Sequence, residues 1–329
     1  MPEPSPQPPK RRGRLFRFSS AVAVLLALAG YLVVQYVTGG TGAPGCKVVS
    51  GRGGGPQYEF SPEQAVNAAT IAAVGTGRGM PERAVAIALA TSLQESGLHN
   101  IEHGDRDSLG LFQQRPSMGW GTEKQIMDPA YAAGTFYEHL AKVPDYKRLP
   151  LTVAAQRVQR SGYPEAYAKH EPDASLLAAA LTGQSAATLT CQGRPEVRTE
   201  AAATGPDAVR AALVRDFGRD AFQETGAEVR ATTAASPSPS ATAGAHGRTV
   251  TVPVPPAGKA DAGRTAKERG WQLAHWAVAN SSALHIARVS YAGREWTAGS
   301  TDSHWRPTGA PGTAGAERSA GSVRIVTGQ

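Results

Sequence analysis

The chain has 329 residues, 41% of them hydrophobic, enough for two modest domains with packed cores and for extra segments besides. Its 37 glycines and 24 prolines assign part of that length to loops and linkers. The formal charge of +7 suggests a polyanion-binding protein, but Lys10, Arg11, Arg12, Arg14 and Arg17 against Glu3 carry most of it, so the rest of the chain has no nucleic-acid footprint.

Residues 1–17, proline-rich and basic, read as a disordered cytoplasmic tail. Phe18 to Val37 is an uncharged run of 20 residues, which as a helix spans roughly 30 Å, the thickness of the hydrocarbon layer. With basic residues before it, the run at 18–38 predicts a single transmembrane helix in the cell membrane, N-terminus inside and main domains outside. A cleaved signal peptide is the alternative. Residues 39–57 form a glycine-rich stalk. The two cysteines, Cys46 and Cys191, both fall on the exported side and bracket the next segment. They read as one disulfide tying the ends of that domain, with two free thiols as the alternative.

Ser61-Pro62-Glu63-Gln64 is a helix start with a capping box, and the helix runs to Val74 and stops at Gly75. Pro81 opens a second helix through Ser96, apolar nearly all round and hence buried, ended by Gly97. Residues 98–108 are a polar loop, and Leu109 to Gln114 is a strand or hairpin arm stopped by Pro116. Asp128-Pro129 starts a helix to Ala141, Thr152 another to Arg160, and Pro164–His170 and Pro172–Thr182 are two short ones. Residues 58–192 thus read as a mainly α domain with one small β element. Residues 193–329 read as a small α/β domain. Its elements are helices at 207–217 and 266–284, strands at 227–231, 249–254, 285–291, 295–297 and 322–326, and a disordered insertion near 233–247.

The buried helix delivers one carboxylate, Glu95, to its C-terminal end. A helix C-terminus disfavours negative charge, and an apolar helix presses on the approach. Those are the surroundings in which a general acid keeps its proton near neutral pH. The alternative is an exposed helix-end glutamate. Asp105 and Asp107 either cap the loop or reach a cleft. Gln113 and Gln114 either bind sugar hydroxyls and N-acetyl groups or are strand-edge amides, and Trp120 either stacks on a sugar or fills the core. His99 and His103 are four apart but in a loop, and the 105–116 segment lacks calcium-loop ligands at Leu109 and Pro116. No metal and no cofactor is expected.

Gln94-Glu95-Ser96-Gly97, followed by Gly110-Leu111-Phe112-Gln113, resembles the lysozyme-like lytic transglycosylases and goose-type lysozymes. The Asp105/Asp107 pair is similar to the goose type. Asp128-Pro129-Ala130-Tyr131, Ala154 to Ser161 and Pro164-Glu165-Ala166-Tyr167 resemble a lysozyme-like module of actinobacterial envelope proteins, and the likeness spans residues 58–192. It implies a lysozyme-like domain acting on peptidoglycan glycan strands. Glu95 would be its general acid/base, helped by Asp105 or Asp107. Ser96, Gln113, Gln114, Trp120, Gln159, Tyr163 and Tyr167 would lie on the substrate side. The tyrosine-asparagine pair of many transglycosylases is missing; Val158-Gln159 stands nearest, with Tyr163 or Tyr167 to supply the tyrosine.

The implied function is a membrane-anchored peptidoglycan glycosidase, a lytic transglycosylase cleaving between N-acetylmuramic acid and N-acetylglucosamine. A water held by an aspartate would make it a hydrolase instead. The alternative from another class is a non-catalytic peptidoglycan-binding scaffold. Residues 270–296 resemble part of a domain in other actinobacterial wall-associated proteins, which implies an envelope protein partner or a plain structural role.

Overall fold

A computed structural model describes residues 45–51, 54–192, 205–218, 247–254, 263–299, 304–308 and 321–328. The tail at 1–17, the span at 18–38, the strand expected at 227–231 and nearly all of the expected insertion at 233–247 lie outside the described residues.

The helical part is built around α2 (Glu82–Ser96), in which every residue from Ala84 to Leu93 is buried. α1 (Pro62–Gly77), α4 (Pro129–Ala141), α5 (Leu151–Gln159) and α6 (Glu171–Leu181) pack against it, and α3 (Glu123–Ile126) leads into α4. The Ser61–Gln64 capping box is present. Asp128 accepts from the Ala130 and Tyr131 amides at the start of α4. α1, however, runs through Gly75 to Gly77. A Cβ on Gly75 would come within 2.6 Å of the Tyr137 ring. That glycine lets two helices approach and does not end one.

The expectation of one small β element is corrected. Two antiparallel sheets are present, one of three strands and one of five. The first has the order β2–β1–β3, made from β1 (Cys46–Val49), β2 (Gln57–Phe60) and β3 (Leu189–Cys191). β1 therefore lies in the stretch expected to be a stalk. Its four residues alternate between buried and half-buried, too short a pattern to register among the surrounding glycines. Leu109 and Gln114, expected in a strand, make only an isolated bridge around a tight turn. Pro164–His170 is a run of turns ending in a 3-10 turn at Ala168–His170, with no α-helix.

Cys46 pairs in register with Cys191 across β1 and β3, and the two form a disulfide that closes a loop with a sequence separation of 145.

The second sheet has the order β4–β8–β5–β6–β7: β4 (Thr249–Pro253), β5 (Ile286–Tyr291), β6 (Arg294–Thr297), β7 (Arg306–Pro307) and β8 (Ser322–Thr327). It is antiparallel throughout. α8 (Ala266–Ala279) packs on it and on β3. α8 starts with a Thr265/Glu268 capping box and ends at Asn280, short of the Leu284 expected. α7 (Pro206–Phe217) docks through Asp216, whose buried carboxylate accepts from Thr70 and from the Trp276 indole at 2.8 Å. Two further indoles fix the sheet to the disulfide strand: Trp296 donates to the Cys191 carbonyl and Trp305 to that of Leu189. One hydrophobic core runs through the helices and both sheets.

The membrane expectation is also corrected. Among the described residues no helix is long and apolar enough to cross a membrane. The longest ones, α1 and α2, have 16 and 15 residues, so they rise roughly 24 Å and 22 Å against the ~30 Å needed. Residues 18–38, on which the single-pass assignment rested, lie outside the described residues. The placement in the cell membrane, and the membrane as a partner, are withdrawn with it.

Where the sheet meets the helices, His275 is fully buried among Trp271 and Trp305. Its Nδ1 lies 2.8 Å from the Ala180 carbonyl, and its Nε2 accepts from the Thr188 amide at 3.3 Å. Only the neutral ring with its proton on Nδ1 satisfies both partners, because a proton on Nε2 would face an N–H. Burial pushes the imidazole down to about 4 from an ordinary 6.5. The unfolded chain therefore binds a proton that the folded chain refuses. This contribution to stability is whole above about pH 6.5 and lost as pH falls towards 4, on the order of 3 kcal/mol at its limit. Urea unfolding at pH 7 and at pH 4 should show a smaller acid loss in His275→Gln than in the parent. Equal losses would contradict the assignment.

Candidate active site

The last turn of α2 carries the candidate acid. Gly97 closes the helix in the left-handed conformation, with its amide on the Leu93 carbonyl and the Leu98 amide on that of Ser92. Two hydroxyls from this turn, Ser92 Oγ at 3.0 Å and Ser96 Oγ at 2.8 Å, donate to the Leu111 carbonyl. From the other side, Gln159 Nε2 donates to the Phe112 carbonyl at 2.8 Å. Leu111 and Phe112 are fully buried. The turn at 110–113 is thus plugged into the core by its apolar side chains and tied by its carbonyls to α2 and α5. Gly110 has a φ of 75°, and a Cβ there would sit 2.8 Å from the Ile126 carbonyl. Only glycine fits that close approach. Gln113 follows with a φ of 47°, an uncommon backbone for a non-glycine residue.

Glu95 is half-buried. The Tyr167 hydroxyl donates to its Oε1 at 2.7 Å. Tyr167 is itself fully buried, and burial, then the bond to Glu95, push its phenol well above the usual tyrosine range. It therefore keeps its proton and acts as a fixed donor. With Oε1 occupied as an acceptor, Oε2 is the oxygen left to carry a transferable proton.

Glu95 opens on a cleft of about 920 Å³. Asp105, Gln113, Gln114, Trp120, Gln159 and Tyr163 line the same cleft, so the structure brings these sequence-derived candidates together around Glu95. Trp120 stacks on the His139 ring at 4.2 Å between centroids. Burial, with Lys142 nearby, lowers the His139 pKa, which leaves the imidazole neutral at pH 7. Among the described residues, Tyr163 and Met118 are the large apolar side chains most exposed to solvent, at 77% and 65%, and both stand on the cleft wall. Gln114 lies at 1% exposure, donates to the Ala132 carbonyl, and leaves its Oε1 buried without a partner.

Three candidates sit elsewhere. Ser96 braces the helix end, as above. Asp107 accepts from Arg115 Nε at 2.7 Å and from the Ser117 amide at 2.8 Å. Those bonds, from Ser117 first and then Arg115, hold its carboxyl well below the usual carboxylate range. It pins the segment that carries Met118. Tyr167 backs Glu95 and does not line the cleft. Among the described residues no group of three or more His, Cys, Asp or Glu converges as a metal-ligand set; His99 faces Glu63 at 3.1 Å.

Several lining residues carried no signal in the sequence. His139 reaches the cleft only because α4 places it under Trp120. Lys142, Arg157 and Arg160 sit at or just past the C-terminal turns of α4 and α5, where cations are ordinary complements to the helix dipole.

Tyr167→Phe is expected to keep the fold, since the ring stays buried; under the acid–base role expected of Glu95 it should lower turnover about tenfold by freeing Glu95 to rotate. Steady-state kinetics should show the loss in kcat with KM little changed. A loss confined to KM would contradict a positioning role.

Residues 209–318 match the family model described as VldE, C-terminal domain, a stretch that holds none of the cleft residues. No curated protein matches the chain.

Proposed function

We propose that the chain is a peptidoglycan glycosidase, a lytic transglycosylase, with Glu95 as its general acid and base. One observation carries this reading. A single half-buried glutamate stands at the end of a buried helix, oriented by a buried tyrosine hydroxyl, at the wall of an open cleft lined by amides and aromatic rings. That is what cutting a glycosidic bond requires: a proton donor held in place, and amide and ring faces to grip a sugar.

In the proposed reaction Glu95 Oε2 gives its proton to the glycosidic oxygen between N-acetylmuramic acid and N-acetylglucosamine, and the bond from C1 breaks. The carboxylate then takes the proton of the muramoyl 6-hydroxyl as that oxygen bonds to C1. The result is a 1,6-anhydro ring, and Glu95 is protonated again. No water is consumed. Tyr167 keeps the carboxylate facing one way through both transfers. Asp105 is the other carboxylate on the cleft wall. A water activated there would divert the same break to hydrolysis.

The test is clearance of a suspension of purified peptidoglycan by the full chain, followed as loss of turbidity. The reading expects steady clearance. Binding to the peptidoglycan without clearance at any pH from about 4.5 to 8 would instead favour a glycan-binding scaffold, whose proton donor is never used.

A further inference from the structure

The cleft has a charge asymmetry that the proposed acid–base chemistry does not use. Glu95 and Asp105 are its carboxylates, and Arg115, whose guanidinium is taken by Asp107, is one of its cations. The remaining cations, Lys142, Arg157 and Arg160, are all exposed, and none has an ion-pair partner among the described residues. Lys142 follows α4 and Arg160 follows α5, so two helix ends bring them to one wall. Both act on the same imidazole: after burial, Lys142 and Arg160 each help to lower the His139 pKa, so they face one region of space. Glu138 opposes them at that ring, but its carboxylate is also paired with Arg78 at 3.0 Å. Tyr163 stands on the same wall at 77% exposure.

We infer that Lys142, Arg157 and Arg160 form a carboxylate-binding arm of the cleft, which takes acidic groups carried outside the sugar rings of the glycan strand. The inference rests on the glycosidase reading and extends it to substrate class. A strand of N-acetylhexosamines alone is neutral, so amides and aromatic rings suffice to hold it. Three cleft-lining cations without an ion-pair partner among the described residues add recognition only for an anionic substituent. Two sources supply one: the carboxylates of a peptide stem, or the lactyl carboxylate of a muramoyl residue without its stem. The cations also complement the dipoles of α4 and α5. That structural role changes stability and leaves ligand preference untouched.

Binding is measured by titration calorimetry with the full chain carrying Glu95→Gln, so that no turnover intervenes. The three ligands are a carboxylate-free oligomer of N-acetylglucosamine, glycan strands stripped of stems by an amidase, and stem-bearing strands. The expected result is an affinity at least about tenfold higher for carboxylate-bearing strands than for the oligomer, fading as salt is raised. Adding Lys142→Gln, Arg157→Gln and Arg160→Gln together should abolish that preference with oligomer affinity unchanged, and any fall in thermal melting reports the dipole role alone. A preference shared by stripped and stem-bearing strands assigns the lactyl group, and one confined to stem-bearing strands assigns the stem. Equal affinity for all three ligands, or an equal loss for the oligomer in the triple variant, overturns the carboxylate arm and leaves the glycosidase reading standing. A protein that binds none of the three overturns both.

Discussion

Glu95→Gln is expected to lower the rate of glycan-strand cleavage by about 10²–10⁴ while leaving strand binding close to that of the parent. The amide preserves the shape of the side chain and can still accept from the Tyr167 hydroxyl through its Oε1. What it lacks is a transferable proton and, after bond breaking, a base. Both halves of the proposed reaction therefore fail together, and the loss should appear in kcat and not in KM. Equilibrium binding to purified peptidoglycan and rate measurements on one preparation separate the two. A Glu95→Gln protein as active as the parent would remove this residue from the chemistry. Asp105 would then be the remaining carboxylate on the cleft wall.

Loss of the Cys46–Cys191 bond is expected to be the largest single change in stability. The bond closes a loop with a sequence separation of 145. Chain entropy alone assigns such a closure ~5 kcal/mol, and native disulfides typically contribute 2–5 kcal/mol. Here the bond also holds β1, which is only four residues long and pairs on both sides with other short strands. Replacing both cysteines by serine should lower the melting temperature by on the order of 10 °C, and reductant should do the same to the parent but not to the variant. Quantitative alkylation of both thiols without reductant would show that the bond is absent. A disulfide of this kind persists in oxidising surroundings, where peptidoglycan also lies.

Much of the helical framework was legible because its signals are local. Ser61 and Gln64 announce a helix start within four residues, and Gly97 ends α2 because only a few side chains tolerate its backbone. Glu95 could be singled out for the same reason: its position at the end of an apolar helix is a property of the sequence around it. Apart from the Cys46–Cys191 disulfide, which the two cysteines bracketing one segment announced, non-local features were illegible. Gly75 looks like a stop until Tyr137 is seen against it. β1 and β3 carry too few residues to show a period, and their pairing joins Cys46 to Cys191 from opposite ends of the domain.

The same divide runs through the site. Ser96 and Asp107 had the right residue types for a cleft, yet their hydrogen bonds turn them to Leu111 and to Arg115 and Ser117. Tyr167 and Tyr163 could not be told apart in sequence. Only the fold buries one against Glu95 and leaves the other exposed at the cleft. The basic arm was invisible because Lys142, Arg157 and Arg160 are unremarkable at helix ends until α4 and α5 converge.

The chemistry is tested most directly by the products. Purified peptidoglycan incubated with the full chain, and the released muropeptides weighed by mass spectrometry, should give fragments ending in 1,6-anhydromuramic acid, and the Glu95→Gln protein should release almost none. Fragments with reducing ends that carry one added water would contradict the transglycosylase route and assign a hydrolase, with Asp105→Asn then expected to stop release. No released fragments from the parent, across pH values from about 4.5 to 8, would contradict the glycosidase itself.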